Sequence, residues 1–348
     1  MKKILLFLCS VLLLGGCQQS PDSATHENNT KKTYSTQIFA MDTVMDVSVF
    51  SDSDSILSEA SSLVYELDHN LSTTNEQSEI YNLNKTGSAS LSENSSLLLE
   101  KALDFCDKTD GALDISIYPV LKSWGFTTDS YQIPNEHDLN MLLENVDYQK
   151  IHYSPSTRSV DLPEGMEIDL GSVAKGFTGD MLVQLFKDNN ISSALLNLGG
   201  NVQALGSKPD GSPWKIAIKS PESQDYLGIL SLVDKAVITS GGYERYFKDE
   251  SGNIYWHIID PANGYPAKNG LISVTIIGSE GTYCDALSTS LFIMGTEKAI
   301  EFWKLYQDFD MILVTDNNEV LLTPGIENSF TLSDHSPYKL EVIKNAQN

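Results

Sequence analysis

The chain is poor in cysteine and in basic residues for its length. Only 4 cysteines occur in 348 residues, which excludes the disulfide framework typical of small secreted domains. Lys and Arg number 23 against 47 Asp and Glu, so the net charge is −24. This acidity argues against docking on nucleic acid or on an anionic membrane surface, and it suits a solvated protein or one that uses divalent cations. Hydrophobic residues make up 41% of the chain, enough for a sizeable core.

The sequence also lacks an N-terminal apolar run long enough to cross a bilayer. Residues 4–14 are apolar, which is the length of a signal-peptide core and well short of the ~20 residues of a membrane span. A basic pair at 2–3 precedes the run, and Leu-Gly-Gly-Cys at 14–17 follows it. That tetrad resembles the lipobox of bacterial lipoproteins, in which the Cys is lipidated. We therefore expect residues 1–16 to be a lipoprotein signal peptide and Cys17 to anchor the protein outside the cell membrane. The alternative is an ordinary secretory signal.

The next segment and the remaining cysteines complete the domain plan. Residues 17–33 are almost devoid of apolar side chains, which predicts a flexible tether. The folded domain is then expected over residues 34–348. Cys106 and Cys284 lie within it, and two buried thiols are favoured over a disulfide between them.

Apolar periodicity in residues 34–348 predicts one α+β domain, without internal repeats or a clear linker. Helical spacing is found over 56–67, 97–108, 174–187, 284–294 and 297–306. Segments rich in β-formers are 43–50, 229–233, 237–239, 254–259, 271–277, 311–314 and 319–322, and the last two are expected to close the chain.

One Gly-rich junction has the character of an anion site. Residues 168–176 pass from a β-like stretch through a Gly turn into a helix, which directs backbone N–H groups and the positive helix end at a ligand. Lys175 adds a positive charge there. The spacing is not that of a P-loop, and a helix start with a surface Lys is the alternative.

Two further groups could carry chemistry. Asp285 and Thr289 are four apart in a predicted helix, so their oxygens share one face and suit Mg²⁺ or Ca²⁺. A further ligand would be needed, and an incidental Asp and Thr is the alternative. His257, in an aromatic β-rich run, is either a core histidine or a proton carrier, since its ordinary pKa near 6.5 suits that role.

Taken in order, these motifs resemble those of the ApbE-like flavin transferase family, the FAD:protein FMN transferases. The matching segments are 41–43, 68–72, 78–84, 111–126, 169–180, 197–201, 240–245, 257–264 and 285–289. Each motif is only moderately specific, but the whole set in this order is highly specific.

The resemblance implies a fold and an activity. The fold would be a single mixed α/β domain with a T-fold-like core. The activity would be Mg²⁺-dependent transfer of FMN from FAD to a Thr or Ser hydroxyl of an exported or membrane-bound acceptor flavoprotein, with release of AMP. Two other functions are compatible with the same features. One is that of an FAD pyrophosphatase giving FMN and AMP, and the other is that of a membrane-tethered flavin-binding protein without activity.

The resemblance also implies roles for individual residues. The metal ligands would be the backbone carbonyl of Ser172 and the side chains of Asp285 and Thr289. Lys175 would hold phosphates, and His257 would handle the proton of the acceptor hydroxyl. The FAD contacts would be Met41, Ala112, Leu113, Asp114, Asp169, Lys175 and Ile259.

Three positions depart from the family pattern. The family often has Gly where Asp42 stands and Asp where Gly242 stands. It often has Tyr or Trp, which can stack on the flavin or adenine, where Thr74 stands. Thr74 cannot stack, so another aromatic side chain would have to replace that contact.

Overall fold

A computed structural model describes residues 31–128, 130–223 and 225–344 of the protein. The α-helices in these ranges are α1 (Ser55–Leu71), α2 (Glu79–Thr86), α3 (Glu93–Lys108), α4 (Tyr118–Ser123), α5 (Glu136–Leu143), α6 (Gly171–Asp188) and α7 (Gly281–Tyr306). The strands are β1 (Lys32–Ala40), β2 (Thr43–Ser51), β3 (Ser88–Ser90), β4 (His152–Ser154), β5 (Ser159–Asp161), β6 (Ala194–Leu198), β7 (Asn201–Leu205), β8 (Trp214–Lys219), β9 (Tyr226–Leu232), β10 (Ala236–Gly241), β11 (Tyr246–Lys248), β12 (Ile254–Trp256), β13 (Leu271–Gly278), β14 (Asp310–Thr315), β15 (Glu319–Leu322), β16 (Phe330–Leu332) and β17 (Lys339–Val342).

A nine-stranded sheet organises the fold. Its strand order is β1-β2-β6-β7-β10-β13-β14-β15-β17. Neighbouring strands are antiparallel except β15 and β17, which are parallel. Three small sheets accompany it, with the orders β16-β9-β8, β3-β5-β4 and β11-β12. The α+β class expected from the sequence is therefore confirmed.

Side chains along the strands point alternately to the two faces of the large sheet, and other elements pack on both faces. On β13, Ile276 packs with α7 while Ile277 packs with the small sheet that contains β8 and β9. At the other end of the sheet, α1 and α6 cover β2, where Met45 and Val47 are fully buried. A second helical layer, α2 and α3, packs on α6 through Phe177. The helices that carry the candidate site thus lie between the sheet and an outer layer.

Most predicted elements are confirmed, with several differences. The strand predicted over 254–259 ends at Trp256, with His257 in a bend, and the chain closes with β16 and β17 rather than with β15. The edge strand β1 was not predicted and begins at Lys32, two residues before the expected start of the domain. The short helices α2, α4 and α5 were also missed.

The sequence predicts two helices over 284–294 and 297–306, and the structure shows why they are separated. Gly295 interrupts α7 with φ 80° and ψ 175°, which is not helical.

Cys106 and Cys284 are free and buried, so the prediction of two buried thiols is confirmed. Across the described ranges, no helix combines the length and apolarity needed to cross a membrane. The predicted signal peptide, Cys17 and most of the tether lie outside the described residues.

Candidate active site

The closest approach of α6 to α7 brings together the predicted metal residues. Gly176 on α6 donates its backbone N–H to Asp285 Oδ2 on α7 at 2.8 Å. A Cβ at Gly176 would lie 2.3 Å from the Gly281 carbonyl oxygen and 2.8 Å from the Asp285 Cβ, so only glycine permits this contact. In a regular helix the Gly176 N–H faces the carbonyl of Ser172. The Ser172 carbonyl and the Asp285 carboxylate therefore approach the same N–H group.

Thr289 lies one turn beyond Asp285 on the same face of α7. Its hydroxyl is 3.3 Å from Ser240 Oγ, which is also 2.8 Å from Ser288 Oγ. Ser240 is the next-to-last residue of β10 in the large sheet, so the 240–245 motif reaches this junction as well. The i, i+4 spacing predicted for Asp285 and Thr289 is thus present in the helix.

A second carboxylate fixes the beginning of α7. Asp180 on α6 accepts from the backbone N–H groups of Gly281 at 2.6 Å and Thr282 at 2.7 Å, and from the Thr282 hydroxyl at 2.6 Å. Gln203 on β7 donates to Asp180 Oδ1 at 3.3 Å and to the Gly176 carbonyl at 3.1 Å. These bonds set the position of α7 against α6, and hence of Asp285.

Burial dominates the electrostatics of Asp285, whose residue is 6% exposed. Loss of solvation raises the pKa of Asp285, while the charge of Lys175, the Gly176 N–H and the Asn201 side chain lower it, and the charge of Asp180 raises it further. A bound cation would favour the ionised form in the same way as Lys175 does.

Lys175 stands near three of the predicted site residues. Its charge lowers the pKa of Asp285, of Asp169 and of His257. Burial raises the pKa of Asp169, and the charges of Arg245 and Lys175 oppose that rise. Arg245 also acts on His257. Lys175 therefore lies near Asp285, and both Lys175 and Arg245 lie near Asp169 and His257, where phosphate groups of a substrate would be attracted.

The backbone of Arg245 orients His257. The Arg245 carbonyl accepts from the His257 backbone N–H at 3.1 Å and lies 3.2 Å from His257 Nδ1. Because a carbonyl can only accept, Nδ1 carries the proton in the neutral ring and Nε2 is the free base. Burial lowers the pKa of His257 to about 4; the Arg245 carbonyl opposes the shift, and the charges of Lys175 and Arg245 add to it. The pKa of His257 therefore lies well below its ordinary value near 6.5, and the imidazole is neutral at pH 7.

The 111–116 loop is joined to the 168–176 junction. Asp169 donates its backbone N–H to the Ile115 carbonyl at 2.8 Å, and Asn84 holds Ile168 through bonds of 2.7 and 2.8 Å. Asp114 accepts from the Ser116 N–H at 2.8 Å, the Ser116 hydroxyl at 2.6 Å and the Tyr148 N–H at 3.1 Å. Burial raises the pKa of Asp114, and these bonds oppose the rise. Both carboxylates were predicted FAD contacts, and the structure places their loops side by side.

The remaining predicted FAD contacts differ in exposure. Leu113 and Ile259 are 3% and 4% exposed, so their side chains serve the core and their backbones alone could face a ligand. Ala112 is partly buried against the cluster around α7. Met41 is held by its backbone N–H, which donates to Asp68 Oδ1 at 2.8 Å. A shallow cavity of about 290 Å³ opens beside Asp114, between residues 110–114, 146–149 and 261–262.

The departures from the family pattern have physical explanations at two positions. Asp42 has φ 56°, a left-handed conformation in which Gly is preferred and Asp is tolerated. A Cβ at Gly242 would lie 2.8 Å from the Trp256 ring, so Asp there would require that ring to move. Thr74 is exposed in the loop after α1, and Tyr118 donates to the neighbouring Thr73 carbonyl at 3.4 Å.

Several supporting residues were missed by sequence reasoning. Asp180 and Gln203 were given no role, although Asp180 is in a matched motif and Gln203 closely follows one. Residues that contact one another across more than 100 positions of sequence, as Gly176 and Asp285 do, leave no local signal. No three His, Cys, Asp or Glu side chains in the described part of the chain cluster as a metal site. The predicted ligand set contains only one carboxylate, so it would not form such a cluster.

Known proteins of one family match this chain in sequence and in fold. The model of the ApbE family matches residues 41–313. The FAD:protein FMN transferase of Treponema pallidum is 33% identical over 298 residues, which cover 80% of this chain and 82% of that protein. That of Vibrio cholerae is 29% identical over 309 residues, covering 86% and 90%. The crystal structure of the ApbE protein of Thermotoga maritima superposes with a TM-score of 0.80 at 29% identity, covering 86% of this chain and 99% of that one. With matched motifs gathered at one junction and a family model that spans most of its length, this chain belongs to the ApbE family.

Proposed function

We propose that this protein is an FAD:protein FMN transferase, which moves FMN from FAD to a Thr or Ser hydroxyl of an acceptor flavoprotein and releases AMP. The observation that carries the proposal is the gathering of Asp285, Lys175 and His257 around the start of α6 in a member of this family. A buried carboxylate, phosphate-binding cations and an oriented neutral imidazole are the groups that phosphoryl transfer to a hydroxyl requires.

The residues at the α6–α7 junction fit Mg²⁺. The Asp285 carboxylate, the Thr289 hydroxyl and the Ser172 carbonyl are all oxygen donors, which Mg²⁺ prefers, and substrate phosphate and water would complete its shell. Only one oxygen of Asp285 is engaged by Gly176, so the other retains its lone pairs. When bound, Mg²⁺ would neutralise charge on the phosphate oxygens and hold them for in-line displacement.

The protein's own groups account for the remaining steps. Lys175 binds the pyrophosphate of FAD and offsets its negative charge. The Nε2 atom of His257 accepts the proton of the acceptor hydroxyl as the new phosphorus–oxygen bond forms. The bond between phosphorus and the bridging oxygen then breaks, and AMP leaves with that oxygen. The contact between Nδ1 and the Arg245 carbonyl favours the ring orientation and tautomer in which Nε2 is the base.

We further propose that the protein acts at the outer face of the cell membrane, held by lipid on Cys17. Support comes from the lipobox-like residues 14–17 and from the polar segment that follows. Acyl chains on one residue stabilise membrane association by about 0.8 kcal/mol per buried CH₂. Replacing Cys17 with Ser should move the protein from the membrane fraction to the soluble fraction. Continued sedimentation of that variant after a salt wash would contradict the anchor.

The decisive experiment combines purified protein, FAD, Mg²⁺ and candidate exported flavoproteins, with intact mass spectrometry of the acceptor and chromatography of AMP. Transfer predicts an acceptor heavier by one FMN phosphoester and one AMP per modification. AMP release that is equally fast without acceptor would indicate an FAD pyrophosphatase. FAD binding without AMP release under any condition would indicate a non-enzymatic flavin-binding protein. A reaction in chelator provides the metal control.

A further inference from the structure

Asn201 is a buried polar residue without an assigned role. It is 5% exposed and is the first residue of β7, directly after the Gly-Gly turn of the 197–201 motif. Its Nδ2 group is buried without a hydrogen-bond partner of normal geometry among the described residues. Yet the side chain approaches Asp285 closely enough to favour the ionised carboxylate. A buried amide donor left unsatisfied is costly, and it calls for a functional explanation.

The surrounding backbone holds Asn201 in place. Asn201 pairs with Leu198 across a two-residue hairpin turn, and the Asn197 side chain accepts from the Gly200 N–H at 2.9 Å within that turn. A Cβ at Gly199 would lie 2.4 Å from the Thr43 hydroxyl oxygen, so the turn is seated directly on β2. The motif therefore has little freedom to move relative to the sheet.

The face of β7 that carries Asn201 points at the α6–α7 junction. Side chains two apart on a strand lie on the same face, so Asn201 and Gln203 share one. The Gln203 amide donates to the Gly176 carbonyl and to Asp180, one turn further along α6. Asn201, two residues before Gln203 on the same face of β7, therefore faces α6 near Gly176 and Asp285.

We propose that Asn201 is a positioning residue that orients the Asp285 carboxylate for a divalent cation. The inference rests on the proposed function, since it assumes that Asp285 binds Mg²⁺. The Gly176 N–H engages Oδ2 from one side, and the Asn201 amide lies beside the same carboxylate from the sheet side. The Asn201 Nδ2 group, which has no other partner among the described residues, is the donor available on that side. Its donation to Asp285 would give the carboxylate donors from two separate elements and would fix the direction of its remaining lone pairs. Such groups behind a metal ligand typically change metal affinity by about 10- to 100-fold.

The test measures Mg²⁺ binding by isothermal titration calorimetry, with Mg²⁺ alone as the probe and the whole protein without its signal peptide. Asn201→Leu keeps the branching of the side chain and removes the amide, and Asn201→Ala serves if the larger Leu side chain disturbs packing. We expect Mg²⁺ affinity to fall about 10- to 100-fold in either variant. Thermal unfolding of each variant, compared with wild type, identifies any that fails to fold.

The control is Asn140→Ala, which removes an exposed amide on α5, a helix that carries none of the predicted metal residues. It should bind Mg²⁺ like wild type. Asp285→Asn, which removes the charged ligand, should abolish binding. If wild type binds Mg²⁺, Asp285→Asn does not, and both Asn201 variants bind as tightly as wild type, the role of Asn201 is refuted while the metal site stands. If wild type itself binds no Mg²⁺, the role of Asn201 and the binding of free Mg²⁺ by Asp285 are both refuted, whereas the transferase activity is decided separately by the intact-mass assay.

Discussion

His257 should remain neutral and catalytically competent to a pH well below that of an ordinary histidine. Its pKa is lowered to about 4, chiefly by burial and further by Lys175 and Arg245. At pH 6 a group with a pKa of about 4 is about 1% protonated, whereas one with the ordinary pKa of 6.5 is about three-quarters protonated. Transfer should therefore lose little activity to His257 protonation between pH 8 and pH 6.

Removing the imidazole should slow the reaction without removing the substrate. Because the proposed phosphate contacts are Lys175 and the metal residues, His257→Ala should keep FAD affinity within a few-fold. FMN transfer should fall by about 10²–10⁴, the usual contribution of a general base. The matched variant His257→Gln keeps a side chain that can bond to the Arg245 carbonyl but cannot accept the hydroxyl proton, and it should be equally slow.

Two assays on the same preparation test this reasoning. NMR titration of the ring signals lost in His257→Gln gives the pKa in the FAD-free protein, and fluorescence titration beside a transfer assay separates binding from catalysis. A measured pKa near 6.5 would refute the electrostatic argument. Loss of FAD binding in step with activity would make His257 a ligand contact, and unchanged transfer would exclude it as the base.

Three further predictions concern the junction and the departure at Thr74. Asp285→Asn can still accept from the Gly176 N–H, so it should unfold near the wild-type temperature while transfer falls by more than about 10²; wild-type activity in this variant, measured by intact mass, would exclude the metal assignment. Gly176→Ala places a Cβ 2.3 Å from the Gly281 carbonyl oxygen and should lower the free energy of unfolding by about 1–3 kcal/mol in urea titrations, whereas the exposed control Lys187→Ala should be near neutral. Thr74→Trp, at an exposed position, should tighten FAD binding about tenfold or more through ring stacking, and unchanged affinity by fluorescence titration would show that the flavin and adenine lie elsewhere.

The sequence by itself determined the elements whose patterns are local. The apolar spacing of α1 and the alternation in β2 follow from the periods of a helix and a strand, so both were predicted within a few residues. The same holds for Asp285 and Thr289, whose spacing of four puts them on one face of any helix. The order of the motifs also indicated the family, since it needs no knowledge of contacts.

Only the tertiary structure decided which of these groups meet and how they are charged. Gly176 and Asp285 contact each other because two helices cross at glycines, and the edge strand β1 exists because β2 offers it a partner. The pKa of His257 illustrates the limit most clearly. Residue type sets its ordinary value near 6.5, but solvation and the distances to Lys175 and Arg245 set the actual one. Those quantities depend on groups that are far apart in sequence, so they arise only when the chain folds.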